Sequence, residues 1–290
     1  TATHERPNRF GADTPWFMRG NFSPIDDEAT VASLPVQGRM PEGLRGAYVR
    51  NGFNPAGRVP WHWFFGAGMV HGFEIADGGV SYRNRYVHTP YVDNDLDMME
   101  GIGDLTLSPA NTHIIEHAGR LLALEEAHFP YELDRELNTV GCFDFDGRLT
   151  TPMTAHPKVC PTTGELMFFG YQFLNEPWLT YHRVDAAGHL VQTEQIEIPN
   201  PVMMHDCAIT QKHILIPLIA RTTSMERLKK GEPMWENWES ILMDNGYKFR
   251  LFDTLNRFYV AEECPDLFER LPSERAPWDA VIHMYEIGRA

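Results

Sequence analysis

Between residues 46 and 216 the chain keeps returning to one pattern, a short run rich in apolar and β-branched residues followed by a turn. Such runs occupy 46–50, 82–87, 113–116, 120–124, 165–169, 179–184 and 213–216. The turns between them include Asn51-Gly52, Asp77-Gly78-Gly79 and Asp146-Gly147, residue types that accept the positive φ angles of tight hairpin turns. Runs this short, joined this tightly, are expected to form antiparallel hairpins. Their number and spacing predict a mainly β fold, a propeller or a barrel, although no repeat is visible in the residues themselves.

The character changes near Trp235. Residues 236–245 carry Trp238, Ile241 and Leu242 at helical spacing and end on Asn245-Gly246, a helix stop. Strand-like 248–252 and 257–260 follow, then helical segments 265–271 and 277–287, each with a proline in its first turn. The expected organisation is a β domain over 1–235 and a small α/β appendage over 236–290.

Charge narrows the function classes. The 40 acidic and 25 basic residues among 290 give a net charge of −15, which repels nucleic acid and anionic membrane surfaces. No apolar run approaches the roughly 20 residues that a membrane-spanning helix needs. The first residues lack the order of a signal peptide. Cys142, Cys160, Cys207 and Cys264 are far apart with no C-x-x-C pair, so they read as reduced thiols and the expected location is cytoplasmic.

Two histidines stand in distinctive frames, Thr154-Ala155-His156-Pro157-Lys158 and Met203-Met204-His205-Asp206, each at the edge of a strand-like run. A rigid sheet can aim such side chains inward. Neutral imidazole suits iron, zinc, copper and nickel alike, so ligand type does not choose the metal.

Several longer motifs add a family likeness. They are Tyr48-Val49-Arg50-Asn51-Gly52-Phe53-Asn54-Pro55, the stretch from His62 to Gly72, Tyr82-Arg83-Asn84-Arg85, Ser108-Pro109-Ala110-Asn111-Thr112, Leu122-Ala123-Leu124-Glu125-Glu126, Pro130-Tyr131-Glu132-Leu133 and residues 225–231. With the two histidine frames, and in this order, they resemble the carotenoid cleavage oxygenases, a family that includes the lignostilbene dioxygenases. The resemblance covers about residues 15–235. It implies a seven-bladed β-propeller with Fe(2+) on its axis, held by four histidines, and oxidative cleavage of a carbon–carbon double bond into two carbonyls. His156 and His205 match the first and second ligands. Glu126 matches an outer carboxylate that accepts a ring N–H, with a solvated strand-end acid as the alternative. His71 lies in a matching motif but not at a ligand position, so packing or a hydrogen bond is expected of it. The implied partner is an apolar carotenoid, apocarotenoid or stilbene-like small molecule. Trp63, Phe64 and Phe65 read as core, with lining of its tunnel as the alternative.

The likeness stops at the first half of the family fold. The frames of the third and fourth ligands, Phe-His-x-x-Asn-Ala-Tyr-Glu and His-Gly-x-Trp, are absent, and the neighbours of His283 fit neither. The expectation is therefore a truncated propeller whose open edges favour self-association. The tail, above all residues 252–263, resembles the C-terminal end of FkbM-type methyltransferases, whose glycine-rich cofactor turn is missing here. Three readings follow: an iron dioxygenase lacking two ligands, a non-catalytic or chimeric relic acting as a binding module, and a methyltransferase.

Overall fold

The computed structural model describes residues 14–19, 22–60, 62–218, 242–252 and 257–271. The chain divides into two compact units, Thr1–Ile219 and Ala220–Ala290. The boundary expected near 235 and the helical segment 277–287 lie outside the described residues.

Among the described residues of the first unit the strands form three four-stranded antiparallel sheets and one two-stranded ribbon. The first sheet holds β1 (Thr30–Val31), β2 (Gly46–Phe53), β3 (Gly68–Ala76) and β4 (Gly79–Tyr86), in the order β1-β4-β3-β2. The second is a meander of β5 (His113–His117), β6 (Arg120–Leu124), β7 (Tyr131–Leu133) and β8 (Thr139–Cys142). The third is a meander of β9 (Lys158–Val159), β10 (Leu166–Tyr171), β11 (Leu179–Val184) and β12 (Leu190–Ile196). The ribbon pairs β13 (Ala208–Ile209) with β14 (Ile214–Leu215). This is a row of propeller blades, and the mainly β reading holds.

Each blade buries one face against the next. Val70 and Val87 of the first meet Ala123, Tyr131 and Leu133 of the second. Leu122 and Leu124 then meet Leu166, Phe168 and Val184 of the third, with Phe145, Leu149 and Met153 from the connecting segment between them. Phe169, Tyr171 and Leu179 pack on Met204, Cys207 and Ile214 beside the ribbon. A fully buried side chain of this kind is worth about 1.5–3 kcal/mol. The blades are therefore held by side-chain packing across their faces, while backbone hydrogen bonds hold each blade internally.

Local chemistry explains where the turns fall. Asp77 and Gly78, at φ 51° and 77°, make the two-residue hairpin between β3 and β4. Asn51-Gly52 is not a turn. Both residues lie inside β2, opposite Val70 and Met69, because the Asn51 amide donates to the carbonyls of Ala110 and His113 and so ties the first blade to the second. Nor do Trp63, Phe64 and Phe65 form core: they make one 3-10 turn in which none is fully buried, and Phe64 stands 60% exposed.

In the second unit, β15 (Tyr247–Phe252) and β16 (Arg257–Ala261) form an antiparallel hairpin followed by a short helix, Pro265–Arg270. Arg250 joins the two by donating to the carbonyl of Leu271 and lying over the Phe268 ring at 4.8 Å. Gly246, at φ 79°, ends the preceding turn as expected. No helix among the described residues is long and apolar enough to cross a membrane.

Two predictions concern the third blade. A Cβ at Gly170 would overlap the Pro152 carbonyl oxygen, and Pro152 belongs to the segment that leads to His156. Gly170→Ala is expected to cost about 1–3 kcal/mol, read as a lower urea midpoint. His182 is fully buried between the Thr151 and Thr193 hydroxyls. Burial drives its pKa down from 6.5 to about 4, so the unfolded ring takes up a proton that the folded ring refuses. The stability it contributes is complete above pH 6.5 and drains as pH falls toward 4, by about 3 kcal/mol in all. Wild type should lose that much more than His182→Gln between pH 7 and 4 in urea melts. Parallel losses would overturn the assignment.

Candidate metal centre

His156 lies two residues before β9 and His205 three before β13, so each sits just ahead of the first strand of its sheet. The loops are fixed by what flanks the rings. Thr154, fully buried, takes a hydrogen bond from the His156 amide through its hydroxyl, while its own amide donates to the Phe169 carbonyl of β10. Met204 is buried in the last core cluster and anchors the residue after it. The Lys158 ammonium reaches Asp206 at 2.6 Å and clasps one loop to the other. Both ends of that pair are partly exposed, so it contributes at most about 1 kcal/mol.

The result is a close approach of two imidazoles. Nε2 of His156 lies 3.1 Å from Nε2 of His205, with ring centroids 4.5 Å apart and planes at 70°. Two nitrogens bound to one ion at about 2.1 Å, at tetrahedral or octahedral angles, stand about 3.0–3.4 Å apart. The observed separation fits two adjacent ligands of one cation. Without a cation, the same distance fits one shared proton.

Behind His205, Nδ1 lies 3.2 Å from Oε1 of Glu126, just past the end of β6. A carboxylate there accepts the Nδ1 hydrogen and leaves the Nε2 lone pair facing His156. Burial pushes the Glu126 carboxyl up to about 7, against the pull of His205. Its neighbour Glu125 behaves in the opposite way. Burial also pushes Glu125 up, but the hydrogen bond and charge of His128 outweigh it and hold the carboxyl below its ordinary range. Adjacent acids thus serve different partners. Burial, then the neighbouring His205, keeps His156 below its ordinary value and favours the neutral ring that a metal requires.

The other histidines are placed differently. His71 bonds Tyr82 through Nδ1 at 2.9 Å, the ordinary role expected of it. His283 lies outside the described residues. One imidazole that sequence reasoning passed over stands close by: the His113 ring centroid is 5.6 Å from that of His156. Its run was read only as a strand, with nothing to mark the side chain. Among the described residues no group of three or more His, Cys, Asp or Glu side chains converges as a metal site.

These features match a known family. Residues 22–253 match the family described as RPE65, retinal pigment epithelial membrane protein. The chain belongs to this family, that of the carotenoid cleavage oxygenases. It is 37% identical over 253 residues to carotenoid 9,10(9',10')-cleavage dioxygenase 1 of Arabidopsis thaliana, covering 74% of this chain and 47% of that protein. It is 36% identical over 246 residues to isoeugenol monooxygenase of Pseudomonas nitroreducens, covering 75% and 50%. Among solved structures, Pseudomonas brassicacearum lignostilbene dioxygenase superposes with a TM-score of 0.67 at 32% identity, over 77% of this chain and 51% of that one. The chain spans about half the length of the curated relatives it matches.

If the carboxylate orients the ring, its removal should be felt at the metal. Glu126→Ala is expected to weaken Co(II) binding about 10–100-fold in anaerobic titration calorimetry, with the far-ultraviolet spectrum unchanged. Unaltered affinity would show that Glu126 is a solvated acid.

Proposed function

We propose that this chain carries the His156 and His205 half of a non-haem iron centre, and that its reaction is oxidative cleavage of an alkene in a carotenoid, apocarotenoid or stilbene-type substrate. The observation that carries this reading is the 3.1 Å approach of the two Nε2 atoms, with Glu126 behind one ring. The relatives supply the reaction class: one is named for carotenoid cleavage and another for lignostilbene.

His156 and His205 would hold Fe(2+), and Glu126 would orient His205. When bound, the ion supplies the redox chemistry by which dioxygen and an alkene become two carbonyls. The chain's own residues do the rest. Neutral imidazoles leave the double charge of the ion undiminished. Glu126 fixes one ring tautomer, and the Lys158–Asp206 clasp limits how far the two loops can separate. Two imidazoles are half of the ligand set that the family implies, and iron(II) stands low in the divalent affinity order. Ferrous affinity should therefore be weak unless further donors join. A reducing, cytoplasmic setting agrees with four free cysteines.

Anaerobic ferrous titration tests the metal, and incubation with a stilbene and an apocarotenal under oxygen tests the reaction. Expected are iron uptake at one ion per chain or per pair of chains, its loss in His156→Ala with His205→Ala, and two carbonyl products per alkene consumed. No uptake and no product would leave a non-catalytic binding module. Binding of S-adenosylmethionine, expected to be absent, separates the methyltransferase reading.

A further inference from the structure

His113 opens β5 at the place where His156 precedes β9 and His205 precedes β13, so three consecutive sheets each begin with an imidazole at or just before their first strand. His113 differs in what its ring does. Its Nδ1 lies 2.6 Å from the carbonyl oxygen of Ala155, the residue immediately before His156. A carbonyl can only accept, so Nδ1 carries the hydrogen and donates it. The neutral ring then keeps its lone pair on Nε2.

The backbone of His113 is held from the other side. The Asn51 amide donates to the His113 carbonyl at 3.1 Å and to the Ala110 carbonyl at 2.7 Å. A chain of hydrogen bonds thus runs across three blades: from Asn51 in β2 to the backbone of His113 in β5, and from the His113 ring to the peptide that carries His156. The same segment is also held by burial of Thr154 and Ala155. Thr154 accepts from the His156 amide, and its hydroxyl reaches the His205 carbonyl only at 3.5 Å.

We propose that His113 is a positioning residue of the metal centre, whose Nδ1–H bond to Ala155 sets the height and tilt of His156 against His205. The proposal rests on the reading of His156 and His205 as ligands. It explains why a half-buried histidine should stand 5.6 Å from His156 without joining a cluster of donors. The ring is committed through Nδ1 to the loop and acts on the metal through that loop. Asparagine at 113 would keep the interaction, because its side-chain amide can present an N–H where the imidazole has Nδ1. Phenylalanine would keep the bulk and lose the donor.

The test compares wild type, His113→Asn and His113→Phe by anaerobic Co(II) titration, together with imidazole ¹⁵N spectra of metal-free protein. Expected is a loss of Co(II) affinity of about 10–100-fold in His113→Phe, its restoration in His113→Asn, and displaced His156 ring signals in the first variant alone. His113→Ala replaces His113→Phe if the larger ring prevents folding. Equal affinities in all variants would overturn the proposal. If wild type itself takes up no Co(II), the iron reading falls, and the metal-free spectra still decide this one: His156 signals indifferent to the loss of the donor would refute it.

Discussion

Two imidazole nitrogens 3.1 Å apart cannot be kept there by the loops that carry them. A loop of a few residues has many conformations, and fixing each residue costs about 1–2 kcal/mol. The restraint comes from the blades behind. Thr154 is bonded to β10, Met204 is sunk into the core beside the ribbon, and Glu126 follows directly from β6. Each side chain of the site is thus placed by a different sheet, and the site exists only while those sheets keep their mutual angles.

Those angles are set by the apolar layers between blades. Phe168, stacked on His182 on one blade and on Phe145 from the connecting segment, shows how tightly the second layer is filled. Such a layer tolerates little motion, since close-packed interiors transmit a displacement instead of absorbing it. The polar cross-links add direction to this packing. Asn51 and His113 each reach a carbonyl on another segment, so the apolar layers fix the spacing of the blades and these bonds tie the segments between them.

Much of this was legible in the residues. β6 and β11 occupy the segments expected of them; Ala118-Gly119 turns into the first and Asp185 to Gly188 turns out of the second. β12 was not foreseen. Its Gln192, Thr193 and Glu194 are polar, and the strand exists because β11 offers it a full ladder of partners. β3 lies only partly within the His62–Gly72 motif, and Gly72 stands in its middle. That glycine admits the Leu137 side chain, which a Cβ would meet at 2.9 Å. At the site, family likeness disclosed His156 and His205 through their two frames and Glu126 through the Leu122–Glu126 motif. The clasp between Lys158 and Asp206 lay within the same frames, unread. His113 left no trace in the sequence because its partner is a backbone carbonyl, and any residue at 155 would present one.

The hydrogen bonds of the rings distinguish the facing pair from several other histidines among the described residues. His182 has a hydroxyl on each nitrogen, at 2.7 and 3.0 Å, so a neutral ring is satisfied at both ends and has no lone pair to offer. His117 spends Nε2 on the Gly164 carbonyl and must donate there. His128 is engaged by Glu125 and His189 by Asp185, each through Nδ1; at His128 burial lowers the pKa, but the hydrogen bond and charge of Glu125 outweigh it and raise it, which opposes metal binding. His205 is likewise engaged by a carboxylate through Nδ1, and its Nε2 faces another imidazole. Two imidazoles facing each other nitrogen to nitrogen satisfy one another when one Nε2 carries a hydrogen and the other accepts it. A divalent ion between them would instead take a lone pair from each, with the hydrogen of His205 on Nδ1 facing Glu126, and this is the arrangement that the proposed metal centre uses.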